Sequence, residues 1–252
     1  TRILSPASVP LMISAGPWQP GPIDAGSPIT ESSFKSVPTP LVVPSTTLKA
    51  IAIRHWGVNE RQVRHIPNGI DLQQMARRAS ASAAPFSRQA GDFVVGTVAP
   101  LRAEKSLGRL LRVFAVAAAG DPRWRLVLAG DGPERARLEV IAHQLNIRDR
   151  IHFLGSLDEP APALAQFDVF ALTSETEQMP YSILEAMALA KPIVATDVGD
   201  VGRMVGAENR PFILAREDEA GLAAGLRRKV RRLATTVRAG SRSKPSSTVS
   251  TR

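Results

Sequence analysis

Between residues 63 and 196, short apolar runs and helical periods take turns along the chain, and this alternation is what most restricts the fold. Val63–Ile66, Phe93–Ala99, Leu126–Ala129, Ile151–Leu154, Val169–Leu172 and Ile193–Thr196 are each four to seven residues long, the length of strands buried on both faces. Leu107, Leu110, Leu111, Phe114 and Ala118 then repeat at helical spacing after a Ser106 cap. Leu138, Ile141, Ala142 and Leu145 do the same after Asp131-Gly132-Pro133, with the proline expected at the first helical position. A third helix is expected from Pro180, burying Ile183, Leu184 and Met187. Strand and helix in this order imply an α/β fold with a Rossmann-like, doubly wound parallel sheet.

The ends differ in character. Residues 1–44 hold nine of the 20 prolines, with many Gly and Ser and no apolar period, so disorder is expected there. The folded domain is expected over 45–225, with 73–91, rich in Ala, Ser and Arg, as a surface excursion. The net charge of +9 is confined to 226–252, which carries nine Lys/Arg and no acid; the rest balances 23 bases against 23 acids. That segment is expected to be a basic tail, a helix end and then disorder from about Val230, without an apolar face.

Composition removes several classes of chemistry. There is no cysteine, which excludes disulfide frameworks, thiolate nucleophiles and Cys-ligated zinc. The longest apolar run, Val113 to Ala119, is far short of the ~18 residues of a membrane span, so a soluble protein is expected. The chain opens on Thr1, and Val9 to Ala15 lacks a charged lead-in, so no signal peptide is expected. His55, His65, His143 and His152 have no metal-ligand spacing, and no Asp-x-Asp occurs.

Loops after strands are where an open α/β sheet binds ligands, and four stand out. The first is Ser174-Glu175-Thr176-Glu177-Gln178-Met179-Pro180-Tyr181-Ser182-Ile183-Leu184-Glu185-Ala186-Met187-Ala188. A helix starting at Pro180 offers unpaired amides to a phosphate. Glu177 and Glu185 on either side would accept hydrogen bonds from hydroxyls at the two ends of a longer ligand, the order found in a nucleoside diphosphate sugar. The residues alone leave open a second reading, in which Glu177 complements the helix dipole and Glu185 lies on a solvated face. In the second loop, Gly96 to Ser106, Gly96 would allow close backbone approach and Lys105 would meet a diphosphate ahead of a helix; a surface lysine beside a cap is the alternative. The third, Gly130 to Pro133, is read as a turn and helix cap whose Gly132 could also admit a ligand. The fourth, Phe153-Leu154-Gly155, ends a strand.

The Glu177–Glu185 pair, followed by Ala186-Met187-Ala188 and Lys191-Pro192-Ile193-Val194-Ala195-Thr196-Asp197-Val198-Gly199, resembles the signature of family 4 retaining glycosyltransferases of the GT-B fold. His65-Ile66-Pro67-Asn68-Gly69-Ile70-Asp71 and Leu128-Ala129-Gly130-Asp131-Gly132-Pro133 resemble two further segments of that family, so the likeness extends over about 41–225. It implies the donor-binding half of a GT-B fold. It further implies that Glu177 contacts the donor sugar, Glu185 binds the ribose hydroxyls, backbone amides within the stretch Gln178-Met179-Pro180-Tyr181 hold the diphosphate, and the base sits near Gly155. The family pairs the Lys with an Arg five residues earlier, where this chain has Pro100; Arg102 is the candidate substitute.

The function expected is transfer of a sugar from a nucleoside diphosphate sugar to a hydroxyl acceptor with retention, in glycan or bacterial polysaccharide biosynthesis. Lys105 and Glu177 are the catalytic candidates, and Gly96, Arg102, Gly132, Gln178, Met179, Pro180, Tyr181 and Glu185 the donor-binding ones. No metal and no cofactor beyond the donor is expected. The partners expected are the donor, a glycan or lipid-linked acceptor and a separate acceptor-domain chain, without nucleic acid, in the cytoplasm or at the inner membrane face. Two alternatives stand beside this: a donor-binding module without independent transfer, and a polyanion binder using the basic tail. Residues 226–252 contain no aromatic and so no base-stacking platform.

Overall fold

Six parallel strands form the central sheet: β3 (Phe93–Val98), β4 (Trp124–Ala129), β5 (Ile151–Gly155), β6 (Val169–Leu172), β7 (Ile193–Thr196) and β8 (Ile213–Leu214). They lie in the order β5-β4-β3-β6-β7-β8. The computed structural model describes residues 40–242, with side chains as far as residue 235. The expected disorder of 1–39 and of 243–252 lies outside the described residues.

Successive strand residues enter opposite cores, as a period of two requires. Val95, Leu126, Leu128, Val169, Ala171 and Val194 join one; Val94, Val127, Phe170, Leu172, Ile193 and Ala195 join the other. The first core is closed by α3 (Leu107–Ala117), α4 (Arg135–Gln144) and α8 (Glu219–Arg242), through Leu110, Phe114, Leu138, Leu222 and Leu226. The second is closed by α5 (Ala161–Ala165), α6 (Tyr181–Ala188) and α7 (Val201–Met204), through Leu164, Ile183, Ala186 and Val201. The sheet is therefore doubly wound.

Several expectations are corrected. Val63–His65 is β2, but it pairs in parallel with β1 (Leu41–Val43) in a separate two-stranded sheet. Only Val63 of β2 is buried, so this is not a strand covered on both faces. With α1 (Thr46–Arg54), β1 and β2 enclose a third core of Leu41, Val43, Leu48, Ala52, Val58 and Val63, which moves the folded boundary from 45 to at least residue 41. The surface excursion begins as a helix, α2 (Leu72–Ser80), capped by Asp71 and anchored by the buried Met75. The basic tail is also helical: α8 crosses residue 225 and keeps an apolar face, with Leu226 and Val230 buried against the sheet.

Smaller differences have local causes. Ser106 supplies no side-chain cap because it sits in the left-handed region at φ 47°. Pro133 precedes α4 in a turn, and the helix begins at Arg135. Ile183 and Leu184 are buried as expected, but Met187 is 36% exposed. β8, two residues long, is too short to make an apolar run.

Candidate functional site

The strand order reverses between β3 and β6, and loops leaving neighbouring strands on the two sides of such a point diverge to leave a crevice. A cleft of about 460 Å³ occupies it. Val98 ends β3 and Ala99, Pro100 and Lys105 follow it, Gly130 and Asp131 follow β4, and Ser156, Leu157 and Pro160 follow β5. Thr173, Ser174 and Glu177 follow β6, and Pro180 to Ser182 with Glu185 come from the start of α6. Four strand ends and one helix end thus meet at one place.

Lys105 and Glu177 face each other there. Lys105 ends a 3₁₀ turn (Ala103–Lys105), and left-handed Ser106 reverses the chain into α3. Its Nζ donates to Glu177 Oε1 at 2.7 Å, and Ser174 Oγ donates to the same oxygen at 2.7 Å. Both side chains are mostly buried, Lys105 20% and Glu177 10% exposed, so the charges neutralise each other with little help from water. The two loops are also joined directly. Glu175 N–H donates to the Glu104 carbonyl at 2.8 Å, and Arg109 Nη1 donates to the Thr173 carbonyl at 2.9 Å. Beneath them, Thr196 Oγ1 donates to the Ser174 carbonyl at 2.8 Å in a fully buried bond.

At the other side of the cleft, α6 begins without a side-chain cap, because the residue in the cap position is Pro180. Its first turn, the positive end of the helix dipole, therefore has no side chain capping its amides, and Pro180 to Ser182 line the cleft. Glu185 lies one turn on, at i+4 from Tyr181 and on the same face. Burial raises its pKa above the usual carboxylate value; nearby Arg78 opposes that shift and Glu159 adds to it. Arg78, from α2, is itself paired with Glu159, Nη2 to Oε1 at 3.0 Å.

Of the ten expected site residues, Lys105, Glu177, Pro180, Tyr181 and Glu185 line the cleft, and the other five do not. Gly96 lies inside β3, where an added Cβ would fall 2.4 Å from the Phe167 ring. What approaches its backbone is a core aromatic. Gly132 has φ 158° and packs on Leu101, whose carbonyl oxygen would be 2.6 Å from an added Cβ. Arg102 is exposed and outside the cleft. Gln178 and Met179 turn toward the β1–α1 unit: Ser45 Oγ donates to Gln178 Oε1 at 3.0 Å, and Asn68 Nδ2 donates to the Met179 carbonyl at 2.9 Å. Pro100 lines the cleft.

Residues that the sequence did not single out include Ser174, which orients Glu177, and Ser156, Leu157 and Pro160, which form the wall beyond β5. Arg78 is a third case; only its place in a helix facing Glu185 makes it relevant. Among the described residues no group of three His, Asp or Glu side chains converges as a metal site would.

Residues 81–234, more than half of the chain, match the family described as Glycosyl transferases group 1. The chain is similar to N-acetyl-alpha-D-glucosaminyl L-malate synthase of Bacillus anthracis, 35% identical over 99 residues, covering 39% of this chain and 26% of that protein. It is also similar to 2-deoxystreptamine glucosyltransferase of Streptomyces kanamyceticus, 29% identical over 187 residues, covering 70% of this chain and 46% of that one. The chain thus spans less than half the length of these relatives. Among solved structures, HepE of Anabaena in complex with UDP-glucose superposes with a TM-score of 0.67 at 22% identity, over 81% of this chain and 57% of that one. Sucrose-phosphate synthase of Thermosynechococcus elongatus gives 0.67 at 24%, over 81% and 52%. At these identities the structures speak for the fold, that of GT-B glycosyltransferases, while the family match covers the strands and loops that build the cleft, and the chain belongs to the glycosyl transferases group 1.

Proposed function

We propose that this chain binds a nucleoside diphosphate sugar and serves as the donor half of a family 4 retaining glycosyltransferase. The observation that carries the proposal is the convergence of Lys105, Glu177, the uncapped start of α6 and Glu185 on one cleft at the switch point of the sheet. In this reading the diphosphate is held by the Lys105 ammonium and the α6 amides, which share the cleft. Glu185 is placed to accept from the ribose diol, and Glu177 from sugar hydroxyls. The loop after β5 would seat the base.

In the reaction proposed, an acceptor hydroxyl oxygen bonds to the anomeric carbon while the bond from that carbon to the diphosphate oxygen breaks. The diphosphate keeps the electron pair, and the hydroxyl proton passes to a departing phosphate oxygen on the same face, which preserves configuration. Lys105 and the helix amides stabilise the charge that develops on the leaving group. No metal and no cofactor beyond the donor enters this reading. The acceptor proposed is a glycan or lipid-linked hydroxyl, handled in the cytoplasm or at the inner membrane face. Among the described residues no helix is long and apolar enough to cross a membrane.

A second reading, donor binding without transfer by this chain alone, is favoured by β1 and β2. They form a sheet of two strands apart from the central one, short of the ~4–6 strands most common in a sheet, and a partner acceptor-domain chain could complete it. Titration calorimetry with UDP, GDP and their glucose and mannose conjugates tests the donor reading; binding of none of them overturns it. Product formation with an acceptor mixture, with and without added partner, separates the two readings.

A further inference from the structure

One carboxylate outside the cleft joins the β1–α1 unit to the turn that carries Glu177. Asp200 follows β7 and is 6% exposed. Its Oδ2 accepts from Thr46 N–H at 2.7 Å and its Oδ1 from Thr47 N–H at 3.0 Å. The Thr46 hydroxyl donates to Oδ2 at 2.8 Å and the Thr47 hydroxyl to Oδ1 at 2.7 Å. Four donors thus use the roughly four lone-pair sites that a carboxylate offers. They are the first turn of α1, where a negative charge also meets the helix dipole.

Through its backbone, the same residue holds the candidate site. Asp200 N–H donates to the Gln178 carbonyl at 3.0 Å. Gly199 beside it adopts φ 59° and lets the turn lie against the Glu177 carbonyl, which would be 2.4 Å from an added Cβ. Ser45 caps α1 by accepting from Leu48 N–H at 3.0 Å and donates its own proton to Gln178 Oε1. Asn68 holds Met179 from the far end of the unit.

We propose that Asp200 is a positioning residue for the donor site: by docking the first turn of α1, it fixes the Glu177–Pro180 turn and holds Glu177 where it meets Lys105. The name of the site rests on the donor reading above; the coupling between the two segments does not. An ordinary helix anchor would hold α1 and leave the turn indifferent. Here Ser45, whose hydroxyl places Gln178 Oε1, caps the same first turn that the Asp200 carboxylate docks, and the Asp200 N–H places the Gln178 carbonyl. Asparagine cannot replace it, because its amide would set two further donors against four.

Hydrogen–deuterium exchange without nucleotide tests the coupling in Asp200→Asn and in a Thr46→Ala/Thr47→Ala double variant, which keeps Asp200 and its backbone bonds. We expect the amides of 46–48 and the amides that donate to the turn, Asp200 to the Gln178 carbonyl and Ile183 to the Pro180 carbonyl, to exchange faster together, by about tenfold or more in Asp200→Asn, the loss of a charged hydrogen bond or more. The double variant should show the same pair of changes at smaller size, with β3 and β4 unaffected in both. Faster exchange at 46–48 with unchanged protection of the Asp200 and Ile183 amides in either variant overturns the proposal. In parallel, wild-type protein titrated with UDP-glucose and GDP-mannose reports on the donor reading. If neither binds, that reading fails, while the exchange data still decide the coupling.

Discussion

Lys105 and Glu177 reach each other across the point where the sheet reverses its order, Nζ to Oε1 at 2.7 Å. The cation suited to a diphosphate and the carboxylate suited to a sugar are therefore bound to one another before any ligand arrives. On the proposed reading, a nucleoside diphosphate draws Lys105 away, and a donor sugar gives Glu177 hydroxyls in exchange.

Removing the carboxylate should then separate the two ligands. Glu177→Ala frees Lys105 and is expected to tighten a nucleoside diphosphate by several-fold, while the preference for the sugar-bearing donor over the bare diphosphate falls by about tenfold, the worth of one charged hydrogen bond. Lys105→Ala should weaken both by about ten- to a hundredfold. Calorimetry with UDP and UDP-glucose checks this. Equal loss for both ligands in both variants would show that the roles are misassigned.

Glu185 gives the site a pH dependence with a definite sign. Burial, aided by Glu159 and opposed by Arg78, raises its pKa in the folded protein, so it gains its proton at a higher pH than an exposed carboxylate would. The protonated acid accepts fewer hydrogen bonds from a diol. Nucleoside diphosphate affinity should therefore be level near neutrality and fall on mild acidification, above the ordinary glutamate value of about 4.3. Glu185→Gln should flatten the profile. The raised pKa also means that ionised Glu185 costs stability at neutral pH, so the same variant should melt at a higher temperature. A flat wild-type profile would remove Glu185 from the site.

Pro100 lines the cleft, whereas Arg102 is exposed outside it. Proline gives a phosphate neither charge nor donor. Pro100→Arg is expected to tighten diphosphate binding by about tenfold, and Arg102→Ala to leave it unchanged. Loss of binding in Arg102→Ala would mean that this side chain swings into the cleft when the ligand arrives.

Two substitutions test the packing. Gly96→Ala drives a methyl into the Phe167 ring and should cost about 1–3 kcal/mol, as overpacked core positions do. Leu226→Ala, within the expected tail, should cost about 2–5 kcal/mol if α8 closes the core. Urea unfolding measures both, and a neutral Leu226 variant would return that helix to the status of a tail.

The central sheet was legible in the sequence because both faces of its strands are apolar, so each strand appears as a continuous run bounded by turns. β8 was not, since two residues carry no pattern. The basic segment misled because charge density hid a stripe of Leu222, Leu226 and Val230 at helical spacing. At the site, side chains with a chemical signature, Lys105, Glu177 and Glu185, could be picked out. Gly96, Gly132, Gln178 and Met179 could not be sorted into ligand-facing and packing roles. Whether a small or neutral residue meets ligand, aromatic ring or backbone is settled by what folds against it from far along the chain.

The reversal of strand order also divides the cleft by position along the chain. Lys105, Pro100 and the wall at Ser156 to Pro160 all belong to the continuous stretch 93–160, whereas Ser174, Glu177 and Glu185 belong to 173–185. On the proposed reading, the base and the sugar are recognised by separate pieces of sequence that meet only in the folded state. A gene encoding such a protein can change one half of its donor preference by substitution or recombination on one side of Phe167 while the other half stays intact, so new donor combinations are a short mutational distance away.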